Sequence, residues 1–397
     1  MVVSALLFWV FWADLCLWRA EVNLAQRNHS AAGAWIARSL WFGHAPDART
    51  ALLRLRLARR RQDYADVERE LKEATRLGAP LAEVHRERLL AMAQTSQFAN
   101  LQQSWPELLR DPRDDGPEIA RAYYTWCILN HNFQEAQRTL ELWHADYPRD
   151  TEPLSLLGLY FEDRHELKGA EDAYRRALAI APRDDKLQLA LARVLTTRLD
   201  TAAAAPLYRE YLAGHPNDVE ALRGLAECAA AQGDVPEGLR LLEMAVQASP
   251  EDFASLKEYG EMLLASGDAQ RAVAPLEKAH RMVPEHAKLA NSLARALKTS
   301  GRRDEAQPLL DFVAEARPQL ERLPELERKL RHDPDDLEAR MQIAEITAKY
   351  VSRRDAIRWY ENLLRIAPRS TAAAAALSKL KQETPGVAKP LRPVDTD

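Results

Sequence analysis

The chain has 397 residues, is dominated by Ala, Leu, Arg and Glu, and holds only 14 glycines and few β-branched runs, a composition that leans to helix. Its 55 Lys and Arg against 59 Asp and Glu leave a net charge of −4, which gives no nucleic-acid signature. The three cysteines (Cys16, Cys127, Cys228) make no CxxC and no disulfide framework, the ten histidines make no HExxH or close Cys/His cluster, and no GxGxxG, GxxxxGK[ST] or GxSxG stretch occurs, so neither a metal, a cofactor nor assembled catalytic chemistry is indicated.

The chain opens on MVVSALLFWVFWADLCLW, residues 1–18, which is apolar on all sides. Seventeen residues would span about 25 Å, short of the roughly 30 Å hydrocarbon core. Asp14 adds a cost near one end, whereas Trp9, Trp12 and Trp18 suit an interfacial belt. No basic residue precedes the run and no small-residue cleavage site follows it, so it makes a poor secretory signal. The reading preferred is a membrane anchor made of one N-terminal helix; a first helix buried on the rest of the chain and a signal remnant remain open. Arg19, Arg27 and Arg38 favour a cytoplasmic C-terminal side, a basic start lost before Met1 would reverse that, and an unanchored cytoplasmic protein is the alternative.

Residues 19–148 carry a worn periodicity, with Pro46, Pro80 and Pro112 spaced 34 and 32 apart. The stretch LRLRLARRRQ holds Arg54, Arg56, Arg59, Arg60 and Arg61. It could touch phosphate or acidic lipid, but no aromatic residue interleaves it and Asp63 and Asp66 follow, which predicts a solvated helix face. Eight of the nine tryptophans lie at or before Trp143, Trp359 being the exception. They are read as bulky fillers of degenerate units, with an aromatic contact surface around Trp105, Trp126 and Trp143 as the alternative.

From residue 149 to 318 the beat is regular. Proline recurs every 34 residues at 148, 182, 216, 250, 284 and 318. Small residues keep the same step at Gly158, Ala192, Ala226, Gly260 and Ala294, and again at Ala170, Ala204, Gly238, Ala272 and Ala306. A bulky column runs through Tyr174, Tyr208, Leu242, Leu276 and Leu310. Apolar residues at i, i+3, i+4 and i+7, such as Leu222, Leu225, Ala226 and Ala229, predict two helices of about a dozen residues per unit. Small residues let the two axes approach and the bulky column fills the space beside them. Gly233, Gly267 and Gly301 would end each first helix in the left-handed region; His131 and His165 occupy the same slot and are read as turn formers, not catalysts. The proline closes each second helix. Helices this short do not persist alone, so the units must stack.

Leu154, Leu157, Gly158, Phe161, Ala170, Tyr174, Ala177 and Pro182 together resemble the signature of the tetratricopeptide repeat. The units 185–218, 219–252, 253–286 and 287–320 resemble it well, with Tyr211 and Val313 standing where a small residue is usual. Ala136, Leu140 and Pro148 fit a unit at 117–150, and RNHSAAGAWIARSL and RQDYADVERELKEA resemble worn copies, giving about ten units in all. The resemblance implies an all-α, right-handed α-solenoid of stacked antiparallel helix pairs that binds a peptide or protein partner in its concave groove.

After Pro318 the next prolines in step are Pro334 and Pro368, a slip of 16 residues, and Ala344 and Ala356 lie 50 beyond Ala294 and Ala306. Residues 319–336 are therefore expected to be one helix without a partner, redirecting the stack and leaving 337–383 as a partly separate last unit with a capping helix, STAAAAALSKLKQ. Residues 384–397 are polar and proline-bearing, which predicts disorder.

On the first helices of the regular units, two positions one turn apart repeat every 34 residues: Leu189, Arg223, Lys257, Asn291, and Arg193, Glu227, Glu261, Arg295. By the resemblance they line the groove and form a strip of mixed charge suited to an extended or helical peptide. Arg223 with Glu227, and Lys257 with Glu261, are also i,i+4 pairs that could satisfy one another for about 0.2–0.5 kcal/mol each. Chaperone-docking members of the family grip a C-terminal carboxylate with a Lys and an Asn on successive first helices; here Lys257 holds the Lys-like place and Glu261 stands where the Asn would be. The expected function is a non-enzymatic interaction scaffold, a membrane-tethered assembly or adaptor protein of bacterial type serving cell-envelope or secretion machinery, with no nucleic-acid or small-molecule substrate. The alternative is a non-catalytic repeat subunit or fragment of a larger enzyme such as a glycosyltransferase, for whose catalytic domain the tail after residue 383 leaves too few residues.

Overall fold

A computed structural model describes residues 2–40 and 45–382 of the chain; the tail expected to be disordered, 384–397, lies outside the described residues. Every regular element among the described residues is a helix. The chain divides into two compact units, residues 1–183 and 184–397.

The first unit runs α1 (Val2–Ala25), α2 (His29–Leu40), α3 (Ala48–Arg60), α4 (Tyr64–Arg76), α5 (Leu81–Gln94), α6 (Trp105–Arg110), α7 (Gly116–Leu129), α8 (Phe133–Asp146), α9 (Glu152–Asp163) and α10 (Leu167–Ile180). The helix that begins in the apolar opening segment runs on to Ala25. Leu17, Ala20 and Leu24 form one buried stripe that packs on Ala32 and Ile36 of α2 and on Leu53 and Leu57 of α3, so the second half of α1 is the first helix of the stack. Among the described residues no helix is long and apolar enough to cross a membrane. Where α6 replaces a full second helix, rings fill the space. Trp105 is buried and packs against Phe98, Tyr123 and Trp126, with centroids 6.2, 5.2 and 6.0 Å away. Trp143 is buried as well, and its Nε1 donates to Asp150 at 3.1 Å. These tryptophans are fillers and not an open aromatic surface.

The second unit runs α11 (Asp185–Thr197), α12 (Thr201–Gly214), α13 (Val219–Ala231), α14 (Val235–Ala248), α15 (Phe253–Ala265), α16 (Ala269–Met282), α17 (Ala287–Thr299), α18 (Arg303–Leu320), α19 (Leu323–His332), α20 (Leu337–Tyr350), α21 (Arg353–Ile366) and α22 (Thr371–Gln382). The small columns are buried throughout, and in the bulky column Tyr174, Tyr208, Leu242 and Leu276 are buried beside them. Asp184, Asp200, Asp218, Asp234, Asp252 and Asp268 start their helices by accepting from backbone N–H groups of the first turn. Helices α8, α10, α12, α14 and α16 each stop before their proline, but α18 runs through Pro318 to Leu320. Pro318 lacks the N–H that would bond the carbonyl four residues back, so α18 carries the loss of that bond. The prolonged helix lets Ala316 and Leu320 share a core with Leu326 of α19, Ile343 and Tyr350 of α20, and Ala287 of α17. Through this core α19 and α20 are joined to α17 and α18.

One left-handed residue marks the turn inside each hairpin up to α17–α18, whereas the α20–α21 turn has none. Arg27, Gln62, Ser96, His131, His165, Leu199, Gly233, Gly267 and Gly301 all have φ between 56° and 91°. They follow one another at steps of 34 or 35 residues, so the repeat reaches back to the start of the chain. Leu199, at φ 65° and 82% exposed, pays the steric cost of this region without packing in return. Leu199→Gly should stabilise the second unit by about 1 kcal/mol. Urea unfolding reads this directly, and a variant no more stable than the parent would contradict it.

Candidate functional site

The candidate columns lie on α11, α13, α15 and α17. On α13, burial of Leu222, Leu225, Ala226 and Ala229 fixes the rotation of the helix and leaves Arg223 and Glu227, one turn apart, at the surface. Arg223 does not pair with Glu227. Its Nε donates to Glu258 Oε2 at 2.8 Å and its Nη2 to the other oxygen, a two-pronged bridge from α13 to α15. Glu227 is left beside that pair. Burial first, and the Glu258 charge second, raise its carboxyl above the ordinary range, with Arg223 opposing.

Two hollows flank the bridge. The smaller, about 340 Å³, is lined by Arg193, Thr196, Tyr208, Glu220, Arg223 and Glu227, and also by Gly224 and Glu258. Its shape depends on Gly224, where a Cβ would sit 2.3 Å from the Tyr208 ring. The Tyr208 hydroxyl, pushed up to about 12 chiefly by burial, accepts from Thr196 Oγ1 at 3.4 Å. Arg193 Nη1 lies 3.3 Å from Glu220. The larger hollow, about 500 Å³, has Ala226, Ala230, Leu242 and Met262 among its walls and Glu227, Glu258 and Glu261 at its edge. Glu261 accepts from Ser292 Oγ at 3.2 Å.

The structure thus brings Arg193, Arg223, Glu227 and Glu261 around two adjoining hollows. Asn291 lines a third space, about 290 Å³, with Lys288, Val313 and Arg317. Lys257 and Arg295 line none of these three. Glu258, Met262 and Ala230 also line these hollows and escaped the column reading, and Tyr208, read as a filler, lines the smaller one. Glu258 could have been suspected from its place beside Lys257, but which of the two faces α13 depends on helix rotation, which sequence spacing gives only to within a residue.

One corresponding position in the first unit is closed. Ala230 lies three residues before left-handed Gly233; three before left-handed Gln62 lies Arg59, which is fully buried. Its Nε donates to Glu87 at 2.7 Å and its Nη2 to Asp115 at 2.7 Å, while Arg56 Nε reaches Glu87 at 2.9 Å and Arg60 Nη2 reaches Asp115 at 3.1 Å. Burial alone would raise the Asp115 carboxyl, but Arg59 and Arg60 outweigh it and hold it below the ordinary range. The arginine run expected to be a solvated face is therefore a lock between α3, α5 and the turn before α7. The acids that bury it come from 27 to 56 residues downstream, beyond any local pattern.

Sequence models of the tetratricopeptide repeat match residues 189–253, 232–287 and 263–324. Among solved structures, the chain is similar to residues 41 to the end of MamA from Desulfovibrio magneticus RS-1, at 21% identity over 42% of this chain and 93% of that one, with a TM-score of 0.40. It is also similar to PilW, described as a widely conserved type IV pilus biogenesis factor, at 18% identity over 48% of this chain and 89% of that one, with a TM-score of 0.43. No curated protein matches the sequence.

Proposed function

Because this chain is a tetratricopeptide-repeat protein, we propose that it works as a non-enzymatic scaffold that holds an extended or helical segment of a partner protein along α11, α13 and α15. The observation that carries this reading is the pair of adjoining hollows either side of the Arg223–Glu258 bridge. Their polar rims can fix a peptide backbone while the apolar walls take side chains. Exchanging the bridge, Arg223→Glu with Glu258→Arg, keeps an ion pair between the helices but reverses the charge each helix presents. The exchange should leave the melting temperature within a few degrees and weaken a partner peptide about tenfold, more at low salt. A folded double variant that binds the peptide as the parent does would rule these hollows out.

We also propose that α1 holds the scaffold at a membrane surface. Phe11, Leu15 and Trp18, at i, i+4 and i+7, stand exposed on the helix whose other side packs into the core. Aromatic rings in such a stripe suit the headgroup boundary. Deleting the segment is a poor test, because Leu17, Ala20 and Leu24 hold the first hairpin. Glutamate at Phe11, Leu15 and Trp18 together should abolish co-flotation with lipid vesicles and leave helicity unchanged. Equal flotation of parent and variant, or none by the parent, would end the membrane reading.

A further inference from the structure

We propose that the larger hollow receives a lysine or arginine side chain of the bound segment, an inference that rests on the groove reading and names the chemistry of its ligand. The walls include Ala226, Ala230, Val235, Leu242, Met262 and Ala265, all apolar, and Ser266, whose hydroxyl already donates to Leu263 O at 2.9 Å. The edge carries three carboxylates, Glu227, Glu258 and Glu261, against one guanidinium, Arg223, which is engaged by both oxygens of Glu258. Among the described residues, no cation lies within ion-pair distance of Glu227 or Glu261, although Lys257 is a helical turn from Glu261. Two carboxylates thus overlook an apolar recess with no contact ion pair of their own. An acidic side chain would be repelled there, and an apolar one would strip water from the carboxylates without replacing it. A long basic side chain meets both demands, its methylene stem against Met262, Leu242 and Ala230 and its charged head among the acids. The smaller hollow is less acidic, with Arg193 and Arg223 against Glu220, Glu227 and Glu258.

The probes are end-capped peptides selected from a random library on the full chain. Ala230→Trp fills the larger hollow, and Glu227→Gln with Glu261→Gln keeps its shape while removing the two charges; circular dichroism melting confirms that each variant folds. Binders should carry a Lys or Arg flanked by aliphatic residues and fail on Ala230→Trp. They should weaken about tenfold on the double Gln variant, or when the basic residue is replaced by norleucine or citrulline. Binders stopped by Ala230→Trp but indifferent to both charge changes overturn this inference and leave the groove reading standing. Binders indifferent to Ala230→Trp, or a selection that yields none, overturn both.

Discussion

Replacing Arg59 by alanine is expected to cost the first unit about 3–5 kcal/mol, because it leaves Glu87 and Asp115 buried without their main counter-charge. Lysine at the same place keeps the charge but cannot fork between two carboxylates, and should fall between alanine and the parent. The pH dependence has a definite sign. Asp115 is held below its ordinary range in the folded chain, so its contribution is fully present above the unfolded value and is lost as pH falls through the folded one. The parent's advantage over Arg59→Ala should accordingly shrink as pH drops below about 4. Eight of the nine tryptophans lie in the first unit, so urea unfolding followed by tryptophan fluorescence reports it. A loss under about 1 kcal/mol would mean that the network does not hold α3, α5 and α7 together.

Gly158→Leu should be the most damaging change within the repeat columns. A Cβ at Gly158 would already lie 2.4 Å from Tyr174 Cε1, and the ring cannot withdraw, being buried with its hydroxyl donating to Glu162 at 2.6 Å. Overpacking of this kind costs about 1–3 kcal/mol or more. Because solenoid stability is close to a sum of neighbour terms, the loss should begin around α9 and α10. Hydrogen exchange would show protection falling there first. An equal loss at residues 50 and 350 would contradict a nearest-neighbour stack.

What could be read in the sequence was whatever the repeat writes locally. Gly158 and Gly260 announce close helix approach by their lack of a Cβ, and Tyr174 or Leu276 fills the space left, so spacing alone located the core. His131 and His165 were legible as left-handed turns because their neighbours in step were glycines. Leu199, in the same slot, was not, since nothing in leucine signals a positive φ. The proline rule failed at Pro318, where burial of Ala316 and Leu320 against α19 and α20 offsets the ring's cost. Arg59 was misread because its partners come from other repeats. At the candidate site the columns put Arg223 and Glu227 one turn apart on the surface of α13, where they lie. The choice of Glu258 over Glu227 as partner depended on the rotation of α15 against α13, a tertiary quantity that a helical wheel does not contain.

The central claim is that a partner segment lies along the first helices of the second unit, and site-directed photo-crosslinking tests it most directly. A photoreactive side chain at Ala230, in the wall of the larger hollow, should capture a bound peptide in good yield, whereas the same group at exposed Arg240 on α14 should not. Capture at Arg240 with none at Ala230 would place the partner elsewhere on the molecule and contradict the account.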